Sequence, residues 1–138
     1  MTKADQADPP FRFQLDLRSG VPVYRQIMDQ VLAGIASGRL ASGEQLPTVR
    51  QLAVDLSINP NTVIRAYREL EIRGFLDTHQ GSGTFVGTQR VEQDGEERQR
   101  KLDGIVGDLV ARAGSEGFTA QQVVERLKEF LAEHKGRN

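Results

Sequence analysis

Hydrophobic and polar positions follow two different periods along this 138-residue chain. Residues 11–17, FRFQLDL, alternate strictly between apolar and polar, which is typical of a half-buried strand. Residues 23–37 instead place apolar side chains three and four positions apart, which is typical of a helix with one buried face. That face consists of Tyr24, Ile27, Met28, Val31 and Ile35. The two periods predict, in chain order, a strand at 11–17, helices at 23–37, 49–56 and 60–73, strands at 75–79 and 84–87, and helices at 99–113 and 120–134.

Helix-start signals support the two short helices in the middle of the chain. Thr48 suits the N-cap of the first, and Gln51 three positions later completes a capping box. Asn59 can cap the second helix. Its first residue, Pro60, has no backbone N–H that would need a partner there.

The order of the elements between residues 47 and 86 indicates a winged helix-turn-helix. Two short helices joined by a tight turn are followed by a hairpin whose tip contains two glycines. The predicted fold class is therefore α+β and mainly helical, with a winged helix-turn-helix and a short C-terminal two-helix extension. The expected organisation is a disordered N-terminus at 1–10, a winged-helix domain at 11–87, a hinge at 88–98 and a helical dimerisation region at 99–135.

Composition narrows the function classes. The chain has no cysteine and only two histidines, so disulfides and thiolate metal sites are excluded, and we expect no metal and no cofactor. Because the chain lacks both an apolar signal region and any apolar run of roughly 20 residues, we expect a cytoplasmic protein without a membrane partner. We find no nucleophile–base pair and no phosphate-binding glycine motif, so an enzyme is not expected.

Bulk charge does not by itself indicate a nucleic-acid partner. The net charge is −1, whereas a basic domain is typical of proteins that bind DNA. Residues 11–90 contain nine arginines and seven acidic residues, a net charge of +2, and residues 91–138 carry a net charge of −2. A DNA-binding function must therefore depend on where particular arginines point.

One side of the predicted helix at 60–73 carries side chains that suit a major groove. At about 100° per residue, Asn61, Arg65 and Arg68 fall on that side. Asn can pair with adenine and Arg with guanine, each contact giving about 1–3 kcal/mol of discrimination. Thr62 can hold a phosphate through its hydroxyl and nearby backbone N–H groups. The opposite side, expected to pack on the preceding helices, consists of Val63, Ala66, Tyr67 and Leu70.

This outward side also has an ordinary structural explanation. Any surface helix shows polar groups to solvent, and Arg68 could form an ion pair with Glu71 three residues later. Ile72 also faces outward, which does not suit a base-reading surface. We therefore expect DNA contacts to concentrate in the first half of the helix.

Two further features are candidates for contact with DNA. Arg50, in the first turn of the preceding helix, could anchor a backbone phosphate, or could simply be solvated. The hairpin tip, with Gln80, Gly81 and Gly83, permits close approach of the backbone to DNA, although glycines also suit any tight turn.

Four segments of the chain together resemble the GntR superfamily of bacterial transcription regulators, and most of all its YtrA-like branch. They are FQLDLRSGVPVYRQI at 13–27, IASGRLASGEQLPTVRQLA at 35–53, INPNTVIRAYRELEIRGFL at 58–76 and HQGSGTFV at 79–86. The resemblance implies a winged-helix DNA-binding domain, a homodimer built through the C-terminal helices, and repression of an operon that often encodes an ABC transporter.

The resemblance also assigns positions. It implies that Arg50 is the family's helix-two arginine and that the recognition helix starts with Asn59, Asn61 and Thr62. It places Gln80, Gly81 and Gly83 at the wing tip. The chain departs from many members of the family, which have Ser-Arg in place of Asn59-Pro60 and arginine in place of Ile64.

The C-terminal helices each have one apolar stripe and little of their own to bury it against. Pairing with a second copy is the simplest solution, although the helices could instead fold back on the winged domain. A two-fold dimer would present two reading helices to an inverted-repeat operator. The residues expected at the dimer interface are Leu102, Ile105, Val106, Leu109, Val123, Leu127, Phe130 and Leu131.

Two functions from different classes therefore remain. The first is a sequence-specific DNA-binding repressor that forms a homodimer on double-stranded DNA. The second is a winged helix used for protein–protein contact without DNA, which the near-neutral charge favours. A small-molecule effector lodged between tail and winged domain is a further hypothesis, motivated by the polar segment at 88–98.

Overall fold

The computed structural model of the protein describes residues 11–88 and 95–134. The chain divides into two compact units, with the boundary between Arg90 and Val91. The first unit contains α1 (Val23–Ser37), α2 (Val49–Leu56), α3 (Pro60–Ile72), β1 (Leu76–His79) and β2 (Gly83–Val86), and the second contains α4 (Gly95–Ser115) and α5 (Ala120–His134). The mainly helical α+β fold predicted from the sequence is confirmed.

The starts of α2 and α3 are fixed by the side chains that the sequence indicated. The Gln51 N–H donates to Thr48 Oγ1 at 3.0 Å, and the Thr48 N–H donates to Gln51 Oε1 at 3.1 Å, which confirms the capping box. At α3 the Asn61 N–H donates to Asn59 Oδ1 at 2.8 Å, and Pro60 is the first helical residue. These local bonds explain why both helix starts could be predicted from sequence alone.

A single apolar core holds the three helices of the first unit together. The predicted inward side of α3 is buried, because α3 packs against both α1 and α2. Burial also raises the pKa of the Tyr67 hydroxyl above its usual range. The buried apolar residues are Phe13, Ile27, Met28, Val31, Leu40, Leu46, Leu52, Ala53, Val63, Ala66, Tyr67, Leu70, Leu76 and Val86.

The predicted hairpin is confirmed, with its strand bounds shifted by one residue. Strands β1 and β2 are antiparallel, with Leu76 opposite Val86 and His79 opposite Gly83. Gly83 is therefore the first residue of β2 and not part of the turn.

A segment with no predicted strand extends this sheet. The Leu46 N–H donates to the Thr84 carbonyl at 2.9 Å, and the Val86 N–H donates to the Glu44 carbonyl at 2.8 Å. Gln45 thereby forms an isolated antiparallel bridge with Phe85. The hairpin is joined in this way to the loop that leads directly into α2.

The strand predicted at 11–17 is wrong. These residues pair with glutamine side chains of α1 and not with another strand. The Gln30 side-chain amide accepts from the Gln14 N–H at 2.9 Å and donates to its carbonyl at 2.6 Å. The Gln26 amide does the same for Asp16, at 2.8 and 3.0 Å. Each side-chain amide thus supplies the donor and acceptor that a neighbouring strand would have supplied.

The second unit consists of α4 and α5, which contact each other around a short turn. Helix α4 begins four residues earlier than predicted, so 95–98 are helical and do not belong to the expected hinge. Glu96 and Glu97 in its first turn are favourably placed at the positive end of the helix dipole. The predictions for 1–10, for 89–94 and for residue 135 concern residues outside the described ranges. None of the helices in the described ranges is long and apolar enough to cross a membrane.

The hydroxyl of Tyr67 provides a test of how α3 is fastened to the core. It donates a hydrogen bond of 2.8 Å to the Pro47 carbonyl, just before α2 begins. We expect Tyr67→Phe to lower the free energy of unfolding by about 1–2 kcal/mol, because the carbonyl loses a partner in a partly buried site. Urea denaturation followed by circular dichroism measures the change.

Tyr24→Phe is the matched control for this substitution. The Tyr24 hydroxyl makes no hydrogen bond to any residue within the described ranges, so its removal should change stability by less than about 0.5 kcal/mol. Equal losses in the two variants would contradict a fastening role for the bond between Tyr67 and Pro47.

Candidate nucleic-acid interface

The outward face of α3 between Asn61 and Arg68 presents polar side chains to solvent. Asn61, Arg65 and Arg68 are exposed, as the helical spacing predicted, and Thr62 is half-buried beside them. The surface forms a shallow groove of about 530 Å³. The groove is lined by Asn61, Ile64, Arg65, Arg68 and Glu69.

Arg65 is more constrained than the sequence suggested. Its guanidinium carbon lies 3.7 Å from the centroid of the Tyr24 ring in α1. The helical spacing of α1 puts Tyr24 only on its apolar face, and the ring is in fact half-buried at the edge of the core. The contact could not be read from helical spacing, because it joins residues on two different helices.

The arginines of the candidate surface are not neutralised by acidic side chains. Within the described parts of the chain, no carboxylate lies within 4.0 Å of the side-chain nitrogens of Arg50, Arg65 or Arg68. The ion pair considered for Arg68 and Glu71 is not formed. The ion pair that α3 does form joins Glu69 to Arg73, at 3.9 Å. The guanidiniums on the surface are therefore available to an anionic partner.

The far end of α3 does not suit an anionic or base-edge partner. Ile72 is 73% exposed there. Ile72 thus faces outward, in agreement with the sequence pattern.

The backbone at the start of α3 is less free than expected. The N–H of Asn61 is occupied by the Asn59 side chain at 2.8 Å, and the N–H of Thr62 donates to the Asn59 carbonyl at 2.9 Å. The N–H groups of Asn61 and Thr62 are therefore not free to hold a phosphate. The side chains of this turn are left to make such contacts, and the acceptor oxygen of Asn59 already serves as a cap.

The two glycines at the hairpin tip have different roles. Gly81 is exposed in a turn with φ of +85°, and the Ser82 N–H closes that turn on the His79 carbonyl at 2.9 Å. A Cβ on Gly83 would lie 2.6 Å from Gln45 Nε2. Gly83 also has φ of +126°, a backbone conformation that favours glycine, so it is explained within the protein, whereas Gln80 and Gly81 remain exposed to a partner.

Arg50 lies exposed in the first turn of α2. The loop before α2 is bonded to the hairpin through Gln45, whose Nε2 donates to the Ser82 carbonyl at 3.0 Å. One loop therefore connects the first turn of α2, which carries Arg50, to the hairpin tip. The candidate residues lie on three elements that share a single core.

The apolar stripes of α4 and α5 remain largely uncovered within the second unit. Val123 and Phe130 are half-buried, and the other candidate dimerisation residues are exposed. A groove of about 630 Å³ runs along α4 and α5. It is lined by Leu109, Ala113, Phe118, Gln122, Val123, Arg126, Leu127 and Phe130.

Across the described residues, no group of three or more His, Cys, Asp or Glu side chains is placed to hold a metal ion.

Comparison with known proteins identifies the first unit. The family model "Bacterial regulatory proteins, gntR family" matches residues 23–86. The HTH-type transcriptional repressor YtrA of Bacillus subtilis is 34% identical over 123 residues, which cover 89% of this chain and 95% of that protein. The HTH-type transcriptional regulator Rv1152 of Mycobacterium tuberculosis is 44% identical over 73 residues, or 53% of this chain and 60% of that one.

Solved structures agree with this assignment. YtrA from Sulfolobus acidocaldarius, a GntR-family transcription factor, aligns with a TM-score of 0.54 at 33% identity, covering 72% of this chain and 97% of that one. A transcriptional antiterminator from Listeria monocytogenes aligns with a TM-score of 0.66 over 88% of this chain and 91% of its own, and at 24% identity it supports the fold alone. The chain belongs to the GntR family of bacterial regulatory proteins, and within it to the YtrA-like branch of transcription regulators.

Proposed function

We propose that this protein is a homodimeric, sequence-specific DNA-binding repressor that places α3 in the major groove. The observation that carries the proposal is the division of α3 into a buried apolar side and an exposed side with unpaired arginines. A helix in the major groove needs both, because one side holds it to the domain while the other meets base edges. The name of the B. subtilis relative, a transcriptional repressor, supports the same conclusion.

The roles of individual residues follow from their positions. Asn61 and Arg65 are the candidate base readers, with Arg68 beside them one turn further along. Arg50 is the candidate phosphate anchor from α2, and Thr62 offers its hydroxyl to the sugar–phosphate backbone of the DNA.

The wing is the second point of contact in this proposal. Gln80 and Gly81 at its tip approach the flanking sugar–phosphate backbone. The hydrogen bond from Gln45 Nε2 to the Ser82 carbonyl holds the tip in place, so the wing needs little ordering when DNA binds.

Dimerisation is proposed to occur through α4 and α5. Two helices of 21 and 15 residues expose apolar stripes that they cannot cover themselves. Isologous pairing of two copies covers both stripes and relates the two copies of α3 by a two-fold axis. The matching operator is an inverted repeat with half-sites about one helical turn (~34 Å) or more apart. A transporter operon, which the YtrA-like resemblance suggests, is the first candidate target.

Substitutions of Arg65 and Arg50 test the two kinds of DNA contact. We expect Arg65→Ala to weaken binding to the promoter of the protein's own operon by about 1–3 kcal/mol and to relax its specificity, because a base contact is lost. We expect Arg50→Ala to weaken binding to all sequences and to reduce the salt dependence by about one counterion, because a phosphate contact is lost. Fluorescence anisotropy with promoter and scrambled duplexes at two salt concentrations measures both effects.

Arg73→Ala is the matched control, since it removes one positive charge just after the end of α3, at a side chain already paired with Glu69. It should bind promoter DNA like the parent protein. If the parent protein shows no DNA affinity, or an affinity insensitive to salt, the protein–protein alternative is favoured. If Arg50→Ala and Arg65→Ala both bind like the parent, the assignment of the surface is wrong.

The proposed dimer interface is tested at the centre of the α5 stripe. We expect Leu127→Asp to raise the dimer dissociation constant about tenfold or more, because an apolar side chain buried between the copies is replaced by a charge. Operator affinity should fall with it. Lys128→Ala changes the net charge by the same amount at an exposed neighbouring position and should leave the dimer intact. Analytical ultracentrifugation distinguishes the variants, and an unchanged oligomeric state of Leu127→Asp would exclude this interface.

A further inference from the structure

The contact between Arg65 and Tyr24 links the candidate reading surface to α1. A distance of 3.7 Å between the guanidinium carbon and the ring centroid places the cation in van der Waals contact with the ring. Attraction of this kind depends on the ring face and not on the hydroxyl.

The Tyr24 ring is itself fixed to the frame of the domain. Tyr24 is the second residue of α1, and its half-buried ring packs against the apolar core. Helix α1 also packs along α3, so the ring and the arginine lie in the same compact unit. Arg65 is thus held on a platform that does not depend on its own helix.

We propose that Tyr24 is a positioning residue that orders the Arg65 guanidinium before DNA binds. The inference rests on the proposed DNA-binding function and deepens it. A guanidinium that stacks through its face keeps its N–H donors directed outward in its own plane. Arg65 can therefore keep the stack and still donate two hydrogen bonds to a guanine edge or a phosphate.

The physical advantage lies in the ordering of a long side chain. A free arginine must lose rotamer freedom when it contacts DNA, which weakens binding. Arg65 loses this rotamer freedom when the protein folds, because the Tyr24 ring already restricts its side chain. Arg68, the neighbouring arginine on the same face, contacts no aromatic ring in the part of the chain that the structure describes. The two arginines therefore form a matched pair, one ordered in advance and one not.

A double-mutant cycle on promoter affinity tests this role. We expect Tyr24→Leu to weaken promoter binding about three- to tenfold, because Arg65 must then be ordered on binding. Tyr24→Phe, which keeps the ring, should bind like the parent. The loss caused by Tyr24→Leu should disappear when Arg65 is already alanine and should persist when Arg68 is alanine. Affinities are compared at a temperature at which thermal unfolding shows every variant to be folded.

Several results would overturn the role of Tyr24. One is an equal loss from Tyr24→Leu in the parent and in the Arg65→Ala background, since the ring would then act only on the fold. Tighter promoter binding by Tyr24→Leu would mean that the stack withholds Arg65 from DNA. If Arg50→Ala weakens binding while Arg65→Ala does not, DNA binding stands and the positioning role fails. A parent protein without affinity for DNA would remove the proposed function itself.

Discussion

The burial of one side of α3 is the constraint on which the candidate surface depends. Val63, Ala66 and Leu70 are fully buried between α1 and α2, so the helix cannot rotate without exposing them. Exposing three such side chains would cost several kcal/mol, which exceeds any single surface contact. The opposite side of α3, with its amide and guanidinium groups, is therefore held toward solvent by the packing behind it.

The same constraint reaches α2 and the wing through one short loop. The Tyr67 hydroxyl bonds to Pro47 at 2.8 Å, and two residues earlier Gln45 bridges to Phe85 of the hairpin. The same stretch of backbone therefore fixes the positions of Arg50, α3 and the hairpin tip. In a chain with a net charge of −1, the placement of a few arginines matters more than total charge.

Features set by neighbouring residues in the sequence could be predicted, and features set by distant residues could not. The capping box at Thr48 and the cap at Asn59 fixed two helix starts, because each involves residues no more than three apart. The alternation at 11–17 predicted a strand wrongly, since the same alternation serves a segment bound by the amides of Gln26 and Gln30. The stack of Arg65 on Tyr24 required the packing of α1 on α3 to be known.

NMR of the labelled protein with a duplex from its own promoter tests whether the outward face of α3 contacts DNA. We expect the guanidinium N–H signals of Arg65 and Arg68 and the side-chain amide signals of Asn61 to change on binding. The signal of Arg126, which is paired with Glu129 in α5, should stay in place. Promoter DNA that binds the protein and leaves the three α3 signals unchanged would show that this face of α3 is not the DNA-contacting surface.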